Sequence, residues 1–186
     1  MNDIESYCDD YIAEVLRDIS NEDLSDLYQS FLLRVPRNGM ILDAGCGWGR
    51  DTLYFRRHGY EVVAFESSAE LCRAANAIAG RSIRNHSFDS VDWESKFDGV
   101  WACNSLHVIP RNSIDSIFLK FSRALKPEGV LLVSLEQWGV DWEASPFVPG
   151  CDERNLLQLI RTHASCFALD AVWASSTSVN ALLFRR

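Results

Sequence analysis

The sequence has no Cys-x-x-Cys pair, and its six cysteines (Cys8, Cys46, Cys72, Cys103, Cys151 and Cys166) follow no metal-ligand rhythm. That argues against a zinc site of the usual spacing and against a redox dithiol, and leaves free thiols in a reducing cytoplasm as the expectation. No apolar run approaches the roughly 20 residues that a membrane span needs. Basic residues are in the minority, 18 Lys and Arg against 26 Asp and Glu, for a net charge of -8. Such a balance works against the phosphate neutralisation that supplies most nucleic-acid affinity, and it offers an anionic bilayer little to attract. Repeats and low-complexity tracts are missing too, and MNDIESYCDD has neither the basic nor the apolar region of a signal peptide. A cytoplasmic protein with a small-molecule partner, and no nucleic acid or membrane, is what these absences predict.

What is present suits a single globular domain. The chain has 186 residues, 47% hydrophobic and 24% charged, and a chain of this length buries roughly 70% of its unfolded surface without staples. Tyr7, Tyr11, Ile12, Val15 and Leu16 fall at helix spacing. Ser20 and Asp23 precede a second helical stripe of Leu24, Leu27, Tyr28, Phe31 and Leu32, ended by Pro36, Asn38 and Gly39.

From Met40 the rhythm changes to strand, turn, helix. Strands are expected at 40–43, 61–65, 82–87, 97–103, 130–135, 168–174 and 179–184. Helices are expected at 50–57, after a Ser67/Glu70 capping box to Ala79, from an Asn112 cap to Leu125, and over 152–163. A Lys126-Pro127-Glu128-Gly129 turn separates the third of these from its strand. Near-continuous apolar strands alternating with helices predict a mostly parallel sheet covered on both faces. The last two strands are joined by only about four residues, too few for a parallel crossover, so they must be antiparallel. The expected fold is therefore α/β and Rossmann-like, a mostly parallel seven-stranded sheet with an antiparallel last strand.

The stretch MILDAGCGWGRD sets three glycines, Gly45, Gly47 and Gly49, just beyond the first strand. In open α/β sheets ligands bind outside the carboxyl ends of the strands, and glycines there let a ligand approach the backbone. Glu66 ends the second strand, where a carboxylate can accept both hydroxyls of a ribose. The dinucleotide pattern G-x-G-x-x-G would need a small residue where Arg50 stands. The spacing is instead G-x-G-x-G, which suits a cofactor with one nucleoside and a short zwitterionic tail.

ILDAGCGWGRDT, EVVAFESS, FDGVWACNSLHVIP and ALKPEGVLLVSL together resemble the class I S-adenosylmethionine-dependent methyltransferases, over about Met40 to Leu135. GRD after the glycines and WAC in the fourth strand resemble, more narrowly, the small bacterial tellurite-resistance-type members. The resemblance implies S-adenosylmethionine as cofactor. It sets Asp43, Gly45, Cys46, Gly47 and Gly49 along the methionine part, Glu66 on the ribose and Ser67 beside the adenosine. Phe88 and Asp89 fall where the family stacks on adenine and accepts from its amino group, with Asp92 competing for the second role. Cys103 would face the methionine tail through its backbone. Arg50 would reach the cofactor carboxylate or pair with an acid such as Asp43.

His107 is the candidate base, although similar small members carry their histidine one position later. Tyr11, with Tyr28, is a candidate to close over the site from an N-terminal helical lid (1–36). The remaining organisation is expected as a cofactor-binding core (40–135), an aromatic substrate loop (136–150, with Trp138, Trp142 and Phe147) and a closing helix and hairpin (151–186). No separate substrate-recognition domain and no N/D-P-P-Y/F motif is present, which favours a small acceptor. A catalytically silent S-adenosylmethionine-binding module and a nicotinamide-dependent oxidoreductase are the competing readings.

Overall fold

The computed structural model describes residues 23–80, 82–137 and 145–186. The first helical pattern, with Tyr11 and Ser20, lies outside them, as do Trp138 and Trp142. Seven strands, β1 (Met40–Ala44), β2 (Glu61–Glu66), β3 (Ile83–Asn85), β4 (Phe97–Cys103), β5 (Leu125–Glu136), β6 (Phe167–Ala174) and β7 (Ser178–Arg185), form one sheet in the order β3-β2-β1-β4-β5-β7-β6. Pairing is parallel from β3 through β5, while β7 runs antiparallel to both β5 and β6. The strand order reverses between β1 and β4, where a crevice is expected at the carboxyl ends.

Strand residues alternate between two apolar layers. Leu42, Val100, Leu131 and Val133 face the side that carries α4 (Ile114–Ala124) and α5 (Glu153–His163). Ile41, Trp101, Leu132 and Leu182 face the side of α1 (Ser25–Leu32) and α2 (Arg50–Arg57). Helix α3 (Ala69–Ala79) buries Cys72, Ala75 and Ala79 against Ala64 and Ile83.

Helix α1 presents Leu27, Tyr28 and Phe31 to the sheet at helical spacing. Asp23 Oδ1 accepts the Ser25 N–H at 2.9 Å at its start. Phe31 packs so closely that a Cβ on Gly99 of β4 would sit 2.5 Å from its Cζ and 2.8 Å from Val35 Cγ2. Gly99→Ala should therefore cost about 1–3 kcal/mol of stability through overpacking. The measurement is a lowered urea midpoint at unchanged m-value.

Three local expectations need correction. Helix α3 is capped by Ser68, whose Oγ accepts the Leu71 N–H at 3.3 Å; Ser67 instead donates to Glu66 Oε1 at 3.2 Å. Asn112 caps nothing: a 3₁₀ turn, Arg111–Ser113, leads into α4, which has no side-chain cap and stops at Ala124. The Lys126–Gly129 turn is a bulge inside β5, since Phe97 pairs with Leu125 while Gly99 pairs with Val130. Glu128 takes φ 63° there, and Lys126 Nζ holds both Asp98 oxygens at 2.8 Å.

Candidate active site

The loop after β1 spends most of its amides on the protein itself. Gly45 and Cys46 N–H both donate to the Phe65 carbonyl at 3.0 Å, and Gly49 N–H donates to the Cys46 carbonyl at 2.9 Å. Gly47 N–H donates to Glu66 Oε2 at 3.1 Å. A pyrophosphate-binding loop aims such donors at its ligand, and here they are taken.

The three glycines have three different reasons. Gly45 (φ +75°) lies against β4's exit, where a Cβ would meet Ser105 Cβ at 2.7 Å. Gly47 (φ +54°) has nothing within 4 Å of its missing Cβ, so its backbone is bared to the cleft. Gly49 (φ +85°) is turned toward α3, where a Cβ would meet those of Ala75 and Ala79 at 3.2 Å. Only the middle glycine leaves room for a ligand of any size.

Glu66 sits at the end of β2, buried, and its carboxylate knits the two loops together. Besides Gly47 N–H it accepts the Ser68 N–H at 2.8 Å and the Ser67 hydroxyl at 3.2 Å. A carboxylate has about four lone-pair sites, so three donors leave capacity for more.

Beside Gly47 opens a cleft of about 210 Å³, lined by Gly45, Cys46, Gly47, Trp48, Arg50, Asp51, Cys103, Asn104 and Glu136. Its floor is Asp51, which the sequence reading overlooked. Tyr28 Oη donates to Asp51 Oδ1 at 2.6 Å, Trp101 Nε1 donates to Oδ2 at 2.7 Å, and Arg50 Nε donates to Oδ1 at 2.7 Å. Arg50 thus takes the neighbouring Asp51 as its ion-pair partner rather than Asp43. Tyr28 is sandwiched, 3.7 Å from the Tyr54 ring and 5.3 Å from the Trp101 ring between centroids. Burial and the Asp51 charge raise the Tyr28 hydroxyl pKa, so it remains a donor.

Asp43, at the end of β1, is fully buried and accepts the Thr52 hydroxyl at 2.5 Å. Burial first, and the Asp51 charge second, raise its pKa from 3.8 to about 8. The folded chain therefore holds this proton far more tightly than the unfolded chain does. Stability from this group is complete below about pH 4 and drains away as pH climbs toward 8. Melting temperatures should fall across that window, and Asp43→Asn should flatten the fall.

The other expected site residues divide. Cys46 and Cys103 line the cleft, and burial followed by the charges of Asp43 and Glu66 pushes the Cys46 thiol's pKa up, so it is no ready nucleophile. Phe88 is buried, edge-on to Phe65 at 5.1 Å and to Phe121 at 6.2 Å, so it belongs to the core rather than to an open stacking face. Asp89 is exposed on a 3₁₀ turn, Phe88–Ser90, and does not line the cleft, and Asp92 lines a separate groove with Trp93 and Lys120. His107 is exposed on a 3₁₀ turn, Leu106–Val108, and does not line the cleft. Phe147 is half-exposed and its segment bridges to Pro110. Asn104 and Glu136, unflagged in the sequence, complete the cleft from the ends of β4 and β5. Their only sequence signal was position at a strand's carboxyl end.

Among the described residues no His, Cys, Asp and Glu cluster could hold a metal, and no helix is long and apolar enough to cross a membrane. Residues 41–129 match the methyltransferase domain family. The Bacillus subtilis (strain 168) protein YqeM is 30% identical over 105 residues, 53% of this chain and 42% of the relative. The chain thus spans about two fifths of the length of the curated relatives it matches. Among solved structures, the 1,6-didemethyltoxoflavin-N1-methyltransferase of Burkholderia thailandensis, with bound 1,6-didemethyltoxoflavin and S-adenosylhomocysteine, superposes at TM-score 0.70 with 21% identity, over 95% of this chain and 86% of its own. A TehB-like methyltransferase from Corynebacterium glutamicum also reaches 0.70, at 19% identity over 98% and 97% of the two chains. Over residues 41–129 the chain is thus similar to methyltransferase domains, and its fold is the one these solved structures share.

Proposed function

We propose that this chain transfers a methyl group from S-adenosylmethionine to a small-molecule acceptor. The observation that carries the reading is the pairing of a bared Gly47 with Glu66 one strand over, in a loop whose Gly45, Cys46, Gly47 and Gly49 amides are bonded within the protein. That combination suits a nucleoside without phosphates and fits a nicotinamide dinucleotide poorly.

The cofactor supplies an activated methyl on a positively charged sulfur, so little acid–base work falls to the protein. Glu66 would take the ribose hydroxyls with its spare lone pairs, beside Ser67. Asp89, exposed past β3, would accept from the adenine amino group. The 210 Å³ cleft is sized for the amino-acid end, with Gly45 to Gly47, Cys103 and Arg50 around it. Asp51 acts as a fixed negative floor: three donors hold it still, and its charge favours a cation nearby. Positioning of the acceptor in line with the departing sulfur then provides the catalysis.

The N-terminal lid with Tyr11 and the loop 136–150 over the carboxyl edge remain parts of this proposal, and the base role expected of His107 is the part that a single substitution tests. His107, outside the cleft, is expected to matter little: His107→Ala should keep turnover within about twofold, checked over a pH series. Calorimetric titration with S-adenosylhomocysteine and, separately, NAD tests the cofactor. Saturable heat from the first alone supports the reading; heat from NAD alone, or from neither, overturns it. Label transfer from methyl-labelled S-adenosylmethionine across thiols, amines, phenols and carboxylates then distinguishes an enzyme from a silent binding module.

A further inference from the structure

Beyond the cleft, the sheet face under α1 carries a polar row that a packed core does not call for. Trp101, Leu132 and Leu182 form an apolar rank across β4, β5 and β7. Two residues nearer the carboxyl ends the same face reads Cys103, Ser134 and Asn180. Cys103 stands opposite Ser134, Ser134 opposite Asn180, and Asn180 opposite Trp173 of β6. Cys103 and Glu136, at the two sides of Ser134, already line the cleft. Adjacent strands lie roughly 5 Å apart, so Asn180 stands two strands, or roughly 10 Å, from the cleft-lining Cys103, with Ser134 between them.

Asn180 is 0% exposed. Its Oδ1 accepts the Ser178 hydroxyl at 3.2 Å, but its Nδ2 is buried with no hydrogen-bond partner. Ser134 Oγ is turned the other way, toward Asn104 Oδ1 at 3.4 Å on the cleft wall. A buried amide donor left unpaired is rare and costly, and it calls for a reason. Leucine would serve packing better here, as the adjacent rank of Leu132 and Leu182 demonstrates.

We infer that Asn180 Nδ2 is a positioning donor for the methyl acceptor, binding a ring carbonyl or ring nitrogen of a planar molecule that enters past Glu136 and lies over β5 and β7 beside Trp173. The inference rests on the proposed methyl transfer and concerns its acceptor subsite. Because the amide is closed to water, the acceptor reaches it only by parting the side chains over this row. The unpaired donor lowers the stability of the free protein and is satisfied when the acceptor arrives.

Asn180→Leu and Asn180→Ala test this in protein saturated with S-adenosylhomocysteine. With the leucine variant, melting should rise by about 2–4 °C, the scale of removing one unsatisfied group in a chain this size. Ser178 Oγ keeps its contact with Ser175 Oγ at 2.9 Å, so the substitution strands no other group. Affinity for S-adenosylhomocysteine should stay within twofold for both variants; if the wild-type chain does not bind it, the methyltransferase reading fails instead. 2-Pyridone and benzamide serve as acceptor probes, read by the Asn180 side-chain amide resonance of 15N-labelled protein. A saturable downfield shift with either probe, and at least a tenfold loss of that probe's affinity in the alanine variant, is the expected result. A lower melting temperature for the leucine variant, or no saturable shift with both probes, overturns the proposal.

Discussion

Glu66→Ala should weaken S-adenosylhomocysteine binding by about 10- to 150-fold while leaving the chain folded. The estimate is the loss of charge-assisted hydrogen bonds to the ribose, roughly 1.5–3 kcal/mol, converted at tenfold per about 1.4 kcal/mol. A second effect points the same way. Without the carboxylate, Gly47 N–H and Ser68 N–H lose their acceptor, and the loop that should lie against the nucleoside loses its tether to β2. Glu66→Gln separates the two effects, because an amide oxygen still accepts from one loop N–H while offering no charge. Its loss should fall between wild type and alanine. Titration calorimetry measures both, with melting curves confirming that the variants fold; an alanine variant binding as tightly as wild type would remove Glu66 from the ribose site.

How much of this was readable in advance depends on the range of the interaction. The parallel sheet, the antiparallel hairpin and the helix at 50–57 follow from periodicity and loop length, which are local properties, and all of them stand. The Ser67 cap fails by one residue because Glu66 draws the Ser67 hydroxyl and the Ser68 N–H to itself, shifting the helix start. Lys126-Pro127-Glu128-Gly129 has turn chemistry, and it does bend the chain. Its flanks re-enter the same pairing, though, so the bend is a bulge, and Asp98 on the neighbouring strand anchors it. Phe88 reads like a ligand contact from its place after β3, yet the Phe65 and Phe121 rings close over it.

The site shows the same division. The glycine loop and Glu66 lie within about 20 residues of one another and were visible as a pattern. That Gly49 serves the packing of α3, rather than the cleft, depends on Ala75 and Ala79 and could not be read from spacing. Asp51 is the clearest case. Its two buried donors, Tyr28 and Trp101, are 23 and 50 residues away in sequence. No local pattern marks such a carboxylate, and the three residues meet only because α1 and β4 flank α2's first turn.

That hub carries the largest stability effect expected of any single change here. Asp51→Ala leaves the Tyr28 hydroxyl and Trp101 Nε1 without the carboxylate that accepts from them and removes the Arg50–Asp51 ion pair. Removing one member of a buried charged network costs about 3–5 kcal/mol. In a chain of this size that corresponds to a melting temperature lower by roughly 6–20 °C. Tyr28→Phe deletes only a hydroxyl and should cost about 1 kcal/mol more than a neutral change, leaving Trp101 and Arg50 in place. The double variant distinguishes a network from three separate contacts: with Asp51 already gone, losing the Tyr28 hydroxyl should cost nothing or restore stability, because an unpaired buried donor disappears with it. The pH profile supplies an independent check, since the Asp51 charge is one cause of Asp43's tightly held proton. Without that charge the Asp43 pKa should drop, and the decline in stability between about pH 4 and pH 8 should become shallower even though the protein as a whole is weaker. A variant that melts lower but keeps the wild-type pH slope would mean that the two carboxylates do not sense each other.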